Sequence, residues 1–128
     1  MFMRLTRNII KNTIKKVNNY LSRQKKLERK SNIYRLAKFI CRTDNFTIDY
    51  SRDFKDKINF LYDPIGDHWA ETDGVSIWLN TYKVFTPKLL YYTILHEYLH
   101  GMIIRKDGNY LSEWNEHRLM EYLDTRLI

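Results

Sequence analysis

One segment constrains the fold of this chain more than any other, because it has a helical pattern and is apolar on nearly all sides. It covers residues 88–104, KLLYYTILHEYLHGMII, and contains no proline. Thr86 and Pro87 precede it as a favourable N-cap and first helical residue, and Asp107-Gly108-Asn109 provides a turn that ends it. A helix without a polar face has to be buried. We therefore expect the 128-residue chain to form one modest core around this helix.

Composition excludes several classes of protein. The chain is 44% apolar and 15% aromatic, which is too hydrophobic for a disordered sequence. A single cysteine, Cys41, rules out an intramolecular disulfide framework and a multi-cysteine metal site. No apolar run reaches the roughly 18 residues that span a bilayer, and the N-terminus lacks the apolar region of a secretory signal. We expect an intracellular protein, cytoplasmic or nuclear. Its bias towards Ile, Lys, Asn and Tyr is typical of AT-rich coding sequences, as in many viruses and phages.

Charge divides the chain into two parts. Residues 1–42 carry thirteen Lys and Arg and one acid, Glu28, for a net charge of +12. Residues 43–128 carry nine Lys and Arg and fourteen acids, for a net charge of −5. This difference predicts a basic helical N-terminal region over 1–42 and a second unit over 43–128 that face different partners.

The basic region has two apolar stripes at helical spacing, which predict two amphipathic helices or one bent helix. The stripes consist of Leu5, Ile9, Ile10, Ile14, Val17 and Leu21, and then of Ile33, Leu36, Ala37 and Ile40. An exposed basic stretch between them contains Arg23, Lys25, Lys26, Arg29 and Lys30. Three interpretations stay open. The helices pack on the acidic part of the chain, or the cations bind nucleic-acid phosphates without sequence preference, or the region binds an anionic membrane surface.

Three segments of the middle region have the composition of short strands. They are residues 44–50, residues 57–62 and residues 75–79, the last of which follows the turn Thr72-Asp73-Gly74. Strands that lie between helices in this order indicate an α+β domain. We therefore predict a small, mostly antiparallel sheet that packs on the long apolar helix.

The long helix contains the motif His96-Glu97-Tyr98-Leu99-His100, which has the spacing of a zinc site. Residues four apart lie one turn above each other on a helix, so two imidazoles bind one metal ion. Glu97 lies beside them as the general base for a metal-activated water. Two ordinary core histidines would not account for a carboxylate in an otherwise apolar segment. We expect His96 and His100 to bind Zn²⁺.

A catalytic zinc ion needs a third protein ligand and keeps its fourth position open. The extended motif HExxHxxGxxH is not present, because Ile103 and Lys106 replace its Gly and its third His. A further helix is expected to begin at Ser112, and its neighbours Glu116 and His117 compete for the metal. They are about 100° apart on a helix. Glu116 falls within the apolar stripe, where an acid needs a partner, so we favour Glu116 and keep His117 as the alternative.

These motifs resemble two families of zinc peptidases. The HExxH helix followed by Asn115-Glu116 is similar to the gluzincin pattern of thermolysin-like peptidases, although Met120 replaces an Asp of that pattern. The order of strand, Asp-Gly turn, strand and aliphatic helix resembles SprT-like proteases, which include a protease of DNA–protein crosslinks and would favour His117. The resemblance covers about residues 57–124. It implies a zincin-like metalloprotease domain over residues 43–128.

The resemblance also implies a mechanism. Zinc held by His96, His100 and the third ligand activates a water, and Glu97 takes its proton and passes it to the leaving amine. Tyr110 is a candidate for stabilising the oxyanion. Enzymes of this kind bind the substrate backbone along an edge strand, which would place substrate against Ser76, Ile77, Trp78 and Leu79.

Two classes of function remain open at this stage. The first is a zinc metalloprotease that cleaves proteins or peptides, including proteins bound to nucleic acid. The second is a non-catalytic module on a zincin scaffold that binds nucleic acid or nucleoprotein. The presence of Glu97 favours the enzyme, because a scaffold without activity does not need this carboxylate.

The two candidates for the third ligand make opposite predictions for zinc affinity. Glu116→Ala should weaken zinc binding far more than His117→Ala, because Glu116 lies on the inward face of the predicted helix. Competition with a chelating zinc indicator measures this ranking, with Glu113→Ala as a control from the polar face. The reverse order would assign the third ligand to His117, as in the SprT-like pattern.

Overall fold

The computed structural model describes residues 4–54, 57–60 and 68–106 and shows a small α+β fold. Among these residues two helices come first, followed by four short strands, the long apolar helix predicted above and a last short strand. In chain order the elements are α1 (Arg7–Leu27), a 3₁₀ turn (Glu28–Lys30), α2 (Asn32–Cys41), β1 (Phe46–Ile48), β2 (Ile58–Asn59), β3 (Ala70–Thr72), β4 (Ile77–Leu79), α3 (Pro87–Met102) and β5 (Ile103–Arg105).

Helix α1 packs its predicted apolar stripe against α3 and leaves its cations in solvent. Thr6 caps the helix by accepting the backbone N–H of Ile9 at 3.2 Å. The buried residues of the helix are Ile10, Thr13, Ile14, Val17, Tyr20, Leu21 and Gln24. The interpretation that this stripe packs on the rest of the chain is therefore confirmed. In this structure the buried residues of the stripe are covered by protein.

A buried amide of α1 fixes the start of α2. The Gln24 side-chain oxygen accepts the backbone N–H of Asn32 at 2.7 Å and that of Ile33 at 3.3 Å. Ser31 caps α2 from the other side by accepting the N–H of Tyr34 at 3.0 Å. These bonds satisfy amides that a helix N-terminus leaves free. The two basic helices are thus distinct and are joined by a short 3₁₀ turn.

The strands form two small sheets in the described part of the chain. One sheet pairs β1 with β5 antiparallel, and the other has the order β2-β4-β3. Strand β4 pairs parallel with β2 and antiparallel with β3. Two of these three pairings are antiparallel, as expected, but the strands predicted as one sheet are divided between two.

Helix α3 begins as predicted and ends earlier than predicted. Thr86 accepts the N–H of Leu89 at 3.2 Å, with Pro87 in the first turn. The helix stops at Met102, and Ile103–Arg105 forms β5 instead of a last helical turn. The carbonyl of Met102 accepts the N–H of Asp49 at 2.9 Å, which joins the helix end to the chain after β1. The two β-branched residues at 103 and 104 suit this extended conformation.

The assignment of residues 75–79 to an edge strand is wrong. Strand β4 begins at Ile77, and Val75 is 52% exposed in the preceding turn. At Ile77 and Trp78 the strand pairs with β2 on one side and with β3 on the other, whereas Leu79 pairs with β3. The sequence pattern missed β3, because Ala70–Thr72 has only three residues and little apolar character.

One hydrophobic core crosses the charge boundary at residue 42. Buried residues of α1 and α2 belong to the same cluster as those of β1, β4 and α3. The division between 1–42 and 43–128 is therefore a division of surface charge, and the described helices of the first part share the core of the second. No helix among the described residues is long and apolar enough to cross a membrane.

The buried tyrosine on α1 predicts a loss of stability at alkaline pH. Burial raises the pKa of Tyr20 to about 12, whereas an unfolded tyrosine ionises near 10. The neutral side chain therefore stabilises the fold below pH 10, and this contribution is lost as the pH rises from about 10 to 12. Urea unfolding at several pH values should show a smaller decline for Tyr20→Phe than for the wild type. Tyr82→Phe, at a side chain that is 75% exposed, should decline like the wild type.

Candidate metal centre

The second half of α3 brings His96 and His100 together on one side of the helix. Their Nε2 atoms are 2.6 Å apart, and their ring centroids are 4.5 Å apart. Two nitrogen ligands of a tetrahedral zinc ion lie about 3.3 Å apart, given zinc–nitrogen bonds of about 2.0–2.1 Å. The observed separation is shorter than this and is that of a hydrogen bond between the two rings. The four-residue spacing therefore places the two Nε2 atoms beside each other, as predicted.

The Glu97 carboxylate completes a compact group of three potential ligands. One ligand atom from each of His96, Glu97 and His100 lies within 4.8 Å of the other two. All three residues are buried, with 5–6% of their surface exposed. A buried carboxylate next to two imidazoles is unfavourable unless positive charge compensates it. This arrangement is suited to a divalent cation.

Burial also sets the protonation state of the first histidine. Loss of solvent and, to a smaller extent, the neighbouring His100 together lower the pKa of His96 to about 3. The side chain is therefore neutral at physiological pH. A neutral imidazole is the form that coordinates a metal, so His96 needs no deprotonation step before it binds one.

A solvent cleft of about 480 Å³ opens next to His100. It connects the otherwise buried histidine to the surface at the C-terminal end of α3. Its lining consists of Arg52, Thr72, Asp73, Gly74, Val75, His100 and Gly101. A ligand in this cleft can reach His100. Of the predicted substrate-binding residues, Ile77 and Leu79 are fully buried, and neither Ser76 nor Trp78 lines the cleft.

Arg52 holds two walls of this cleft together. Its guanidinium donates to the backbone oxygen of Gly74 in the β3–β4 turn and, at 2.8 Å, to that of Gly101 at the end of α3. Gly101 permits this approach because a Cβ there would lie 3.0 Å from Nε and 3.2 Å from Cζ of Arg52. Sequence analysis missed Arg52, and the one available signal was a glycine directly after the second histidine.

The β3–β4 turn that forms the outer wall is itself well ordered by hydrogen bonds. The Asp73 carboxylate accepts the N–H groups of Val75 at 2.8 Å and of Ser76 at 2.7 Å, and these bonds lower its pKa. Gly74 adopts φ +88°, where residues with a side chain are strained. The turn therefore presents a fixed wall and a carboxylate to the cleft.

Three predicted site residues lie outside the described part of the chain. They are the third-ligand candidates Glu116 and His117 and the oxyanion candidate Tyr110. Their roles stay predictions. The cations Arg23, Lys25, Lys26, Arg29 and Lys30 are all exposed, at the end of α1 and in the 3₁₀ turn, as the sequence predicts.

Comparison with known proteins does not assign the chain to a family. No protein-family profile matches it, and no curated protein or solved structure shows significant similarity to it. The functional argument therefore depends on the geometry of the site.

The contact between Arg52 and Gly101 predicts that the effect of Gly101→Ala on stability depends on whether Arg52 is present. Alanine is favoured over glycine in a helix by about 1 kcal/mol, but in the wild type the added Cβ must displace the guanidinium. Gly101→Ala should therefore be neutral or destabilising in the wild type and stabilising by about 1 kcal/mol in an Arg52→Ala background. Urea unfolding of the four proteins in this cycle measures the coupling. Equal effects in both backgrounds would contradict the contact.

Proposed function

We propose that this protein is a zinc-dependent peptidase of the zincin type. The observation that carries the proposal is the convergence of the His96 and His100 Nε2 atoms beside the Glu97 carboxylate, on a buried helix that borders a solvent cleft. The HExxH spacing supplies the chemistry, and the cleft supplies access. Catalytic sites share both features, whereas a purely structural metal site is closed.

The donor set fits zinc better than the other common divalent ions. Two imidazoles with a carboxylate are typical of catalytic zinc, whereas Mg²⁺ and Ca²⁺ prefer sites made of oxygen ligands. When bound, zinc acts as a Lewis acid that polarises a carbonyl and raises the acidity of water. His96 and His100 hold the ion. Glu116 is the proposed third ligand, and His117 is the alternative.

The other roles in the proposed reaction belong to side chains of this protein. Glu97 accepts a proton from the attacking water and returns it to the leaving amine. The packing of α3 keeps bulk solvent away from this carboxylate, which strengthens its electrostatic interactions. Arg52 fixes the β3–β4 turn relative to the C-terminal end of α3. Tyr110 is the proposed hydrogen-bond donor to the oxyanion.

In this arrangement a peptide substrate in the cleft beside His100 contacts the β3–β4 turn. Ile77 and Trp78 already pair with both β2 and β3, so the predicted pairing of substrate with residues 76–79 does not carry over to these two residues. Strand β3 lies at the end of the sheet order within the described residues, packs against α3, and places Thr72 in the cleft. We propose β3 as the strand that pairs with the substrate backbone.

A second candidate function has its own observation. The exposed cations at the end of α1 form a surface suited to phosphates, so a non-catalytic module that binds nucleic acid or nucleoprotein remains the alternative. The two functions are compatible in one molecule. The combined proposal is a peptidase that acts on proteins bound to nucleic acid.

The metal proposal predicts about one zinc ion per chain. Purified protein, stripped with a chelator and then given micromolar zinc, should bind one equivalent by elemental analysis after desalting. His96→Ala and His100→Ala should each lose most of this zinc, because each removes one of the converging ligands. His68→Ala is the matched control at an exposed histidine outside the ligand group. A wild-type protein that takes up no zinc would contradict the proposal.

The catalytic proposal predicts a separation of binding from turnover. Glu97→Gln keeps the size and hydrogen-bonding capacity of the side chain but removes the base, so it should retain zinc and the melting temperature of the zinc-loaded protein while losing peptide-bond cleavage. Mass spectrometry of a denatured casein digest measures the cleavage. Glu28→Gln, at an exposed glutamate outside the His96–Glu97–His100 group, serves as the control. Equal cleavage by Glu97→Gln and the wild type would exclude Glu97 as the base.

A further inference from the structure

A second groove lies where α1, the 3₁₀ turn, α2 and β1 meet. It has a volume of about 390 Å³. We call it the aromatic groove and define it by its lining residues, which are Lys25, Glu28, Arg29, Tyr34, Phe46, Ile48 and Tyr50. It combines three aromatic rings with two cations on the most basic part of the chain.

The aromatic side chains of the groove are held in place. The Tyr34 and Phe46 rings have centroids 5.1 Å apart and are tilted by 53°. The Tyr34 hydroxyl donates to the Asp44 carboxylate at 2.8 Å, which fixes the ring from outside. Tyr50 is half-buried at the other end of the groove. Tyr34 is partly exposed as well, whereas Phe46 is buried beside the Tyr34 ring. A fixed and partly exposed ring such as that of Tyr34 loses little conformational entropy when a flat ligand stacks on it.

The charges around the groove favour an anionic ligand. Lys25 and Arg29 line it together with one acid, Glu28. Lys26 and Lys30 are exposed in the same short stretch of chain. The Asp44 carboxylate is engaged by Tyr34 and, at 3.7 Å, by the Lys38 ammonium. Cations therefore outnumber acids beside the aromatic rings.

We propose that the aromatic groove binds single-stranded nucleic acid. Cations that follow a phosphate backbone together with rings that stack on bases are the features that recognise unpaired strands. A duplex keeps its bases stacked inside the helix, so its bases cannot reach Tyr34 or Tyr50. This inference rests on the nucleic-acid part of the proposed function and specifies its partner.

The position of the groove links it to the metal cleft. A smaller cleft of about 250 Å³ shares Lys25 and Tyr50 with the aromatic groove and also contains Arg52. Arg52 in turn lines the cleft beside His100. The three clefts are thus linked by shared lining residues, and a protein attached to a bound strand would lie on the side of the molecule where the cleft beside His100 opens.

The membrane alternative is less consistent with this surface. The apolar stripe that would insert into lipid is buried against α3. The groove offers rings inside a concave surface, whereas a membrane surface calls for apolar side chains that project from a helix. The experiment therefore includes a measurement of binding to lipid vesicles.

The test uses fluorescence anisotropy with the full zinc-loaded chain and a labelled oligothymidine of about 12 nucleotides, within the range of known single-strand sites. A duplex of the same length is the comparison. We expect the single strand to bind more tightly than the duplex, and Tyr50→Leu to weaken single-strand binding about tenfold. Tyr50→Phe should bind like the wild type, because it keeps the ring, and Tyr82→Leu is the control at an exposed tyrosine elsewhere.

Salt dependence tests the cations separately. Lys25→Gln should reduce the slope of log affinity against log salt by about 0.7 for a single strand. Lys11→Gln, at an exposed position nearer the start of α1, should leave the slope unchanged. Thermal melting and zinc content of every variant check that the fold is retained, and Tyr34→Leu provides a second aromatic test if Tyr50→Leu unfolds.

Several results would overturn the inference. Equal affinity for single strand and duplex, with no effect of Tyr50→Leu or Tyr34→Leu, would leave the rings without a role. Binding to phosphatidylserine vesicles without binding to the oligonucleotide would show that this surface binds membranes, which contradicts the proposal. Because anisotropy requires no cleavage, these results are independent of the Glu97→Gln experiment, and either proposal can fail while the other holds.

Discussion

Burial of α3 is the constraint on which the described structure depends. The helix is covered from Tyr92 to Met102, by α1 and β3 among other elements. A helix this apolar gains its stability from being covered, yet it carries two imidazoles and a carboxylate at its centre. Burying such groups opposes folding unless they share a proton, a hydrogen bond or a cation. One ligand atom from each of the three side chains lies within 4.8 Å of the other two, so a single divalent ion, as proposed, would offset the cost for all of them. Fold and proposed chemistry thus have the same origin.

Arg52 connects the buried helix α3 to a turn at the surface of the molecule. A cation placed between the carbonyls of Gly74 and Gly101 fixes the β3–β4 turn relative to the last turn of α3. These bonds exchange the solvation of a charged group for two backbone acceptors, and hydrogen bonds to charged groups are stronger than those between neutral groups. The consequence is a cleft whose wall and floor are joined by one side chain. Movement of the turn would therefore alter the approach to His100.

The parts of the structure that were predicted from sequence are those governed by local patterns. The Thr86-Pro87 start of α3, the stripe that includes Ile10, Ile14 and Val17, and the convergence of the two histidines all follow from periodicity and capping. The parts that failed depend on distant partners. Residues 103–105 continue an apolar helical pattern, but they pair with β1 because a strand edge is available there. Arg52 is 49 residues from Gly101 in sequence, and no local pattern connects them. The third ligand lies outside the described residues, so its prediction still depends on a helical wheel alone.

The two faces of α1 place the residues of both proposed functions in one folding unit. Its inner face supplies Ile10, Ile14, Val17 and Leu21 to the core against α3, while its last turns carry the cations beside the aromatic groove. Removing residues 1–42 would therefore expose α3, which carries His96 and His100, as well as delete the basic surface. Loss of nucleic-acid binding and loss of zinc would then occur together for a structural reason, whatever the function of the cations. Point substitutions on the outer face avoid this ambiguity, because they change the surface and leave the core intact. The charge boundary near residue 42 marks a change of surface, and the core that continues across it makes the basic helices part of the same folding unit as α3.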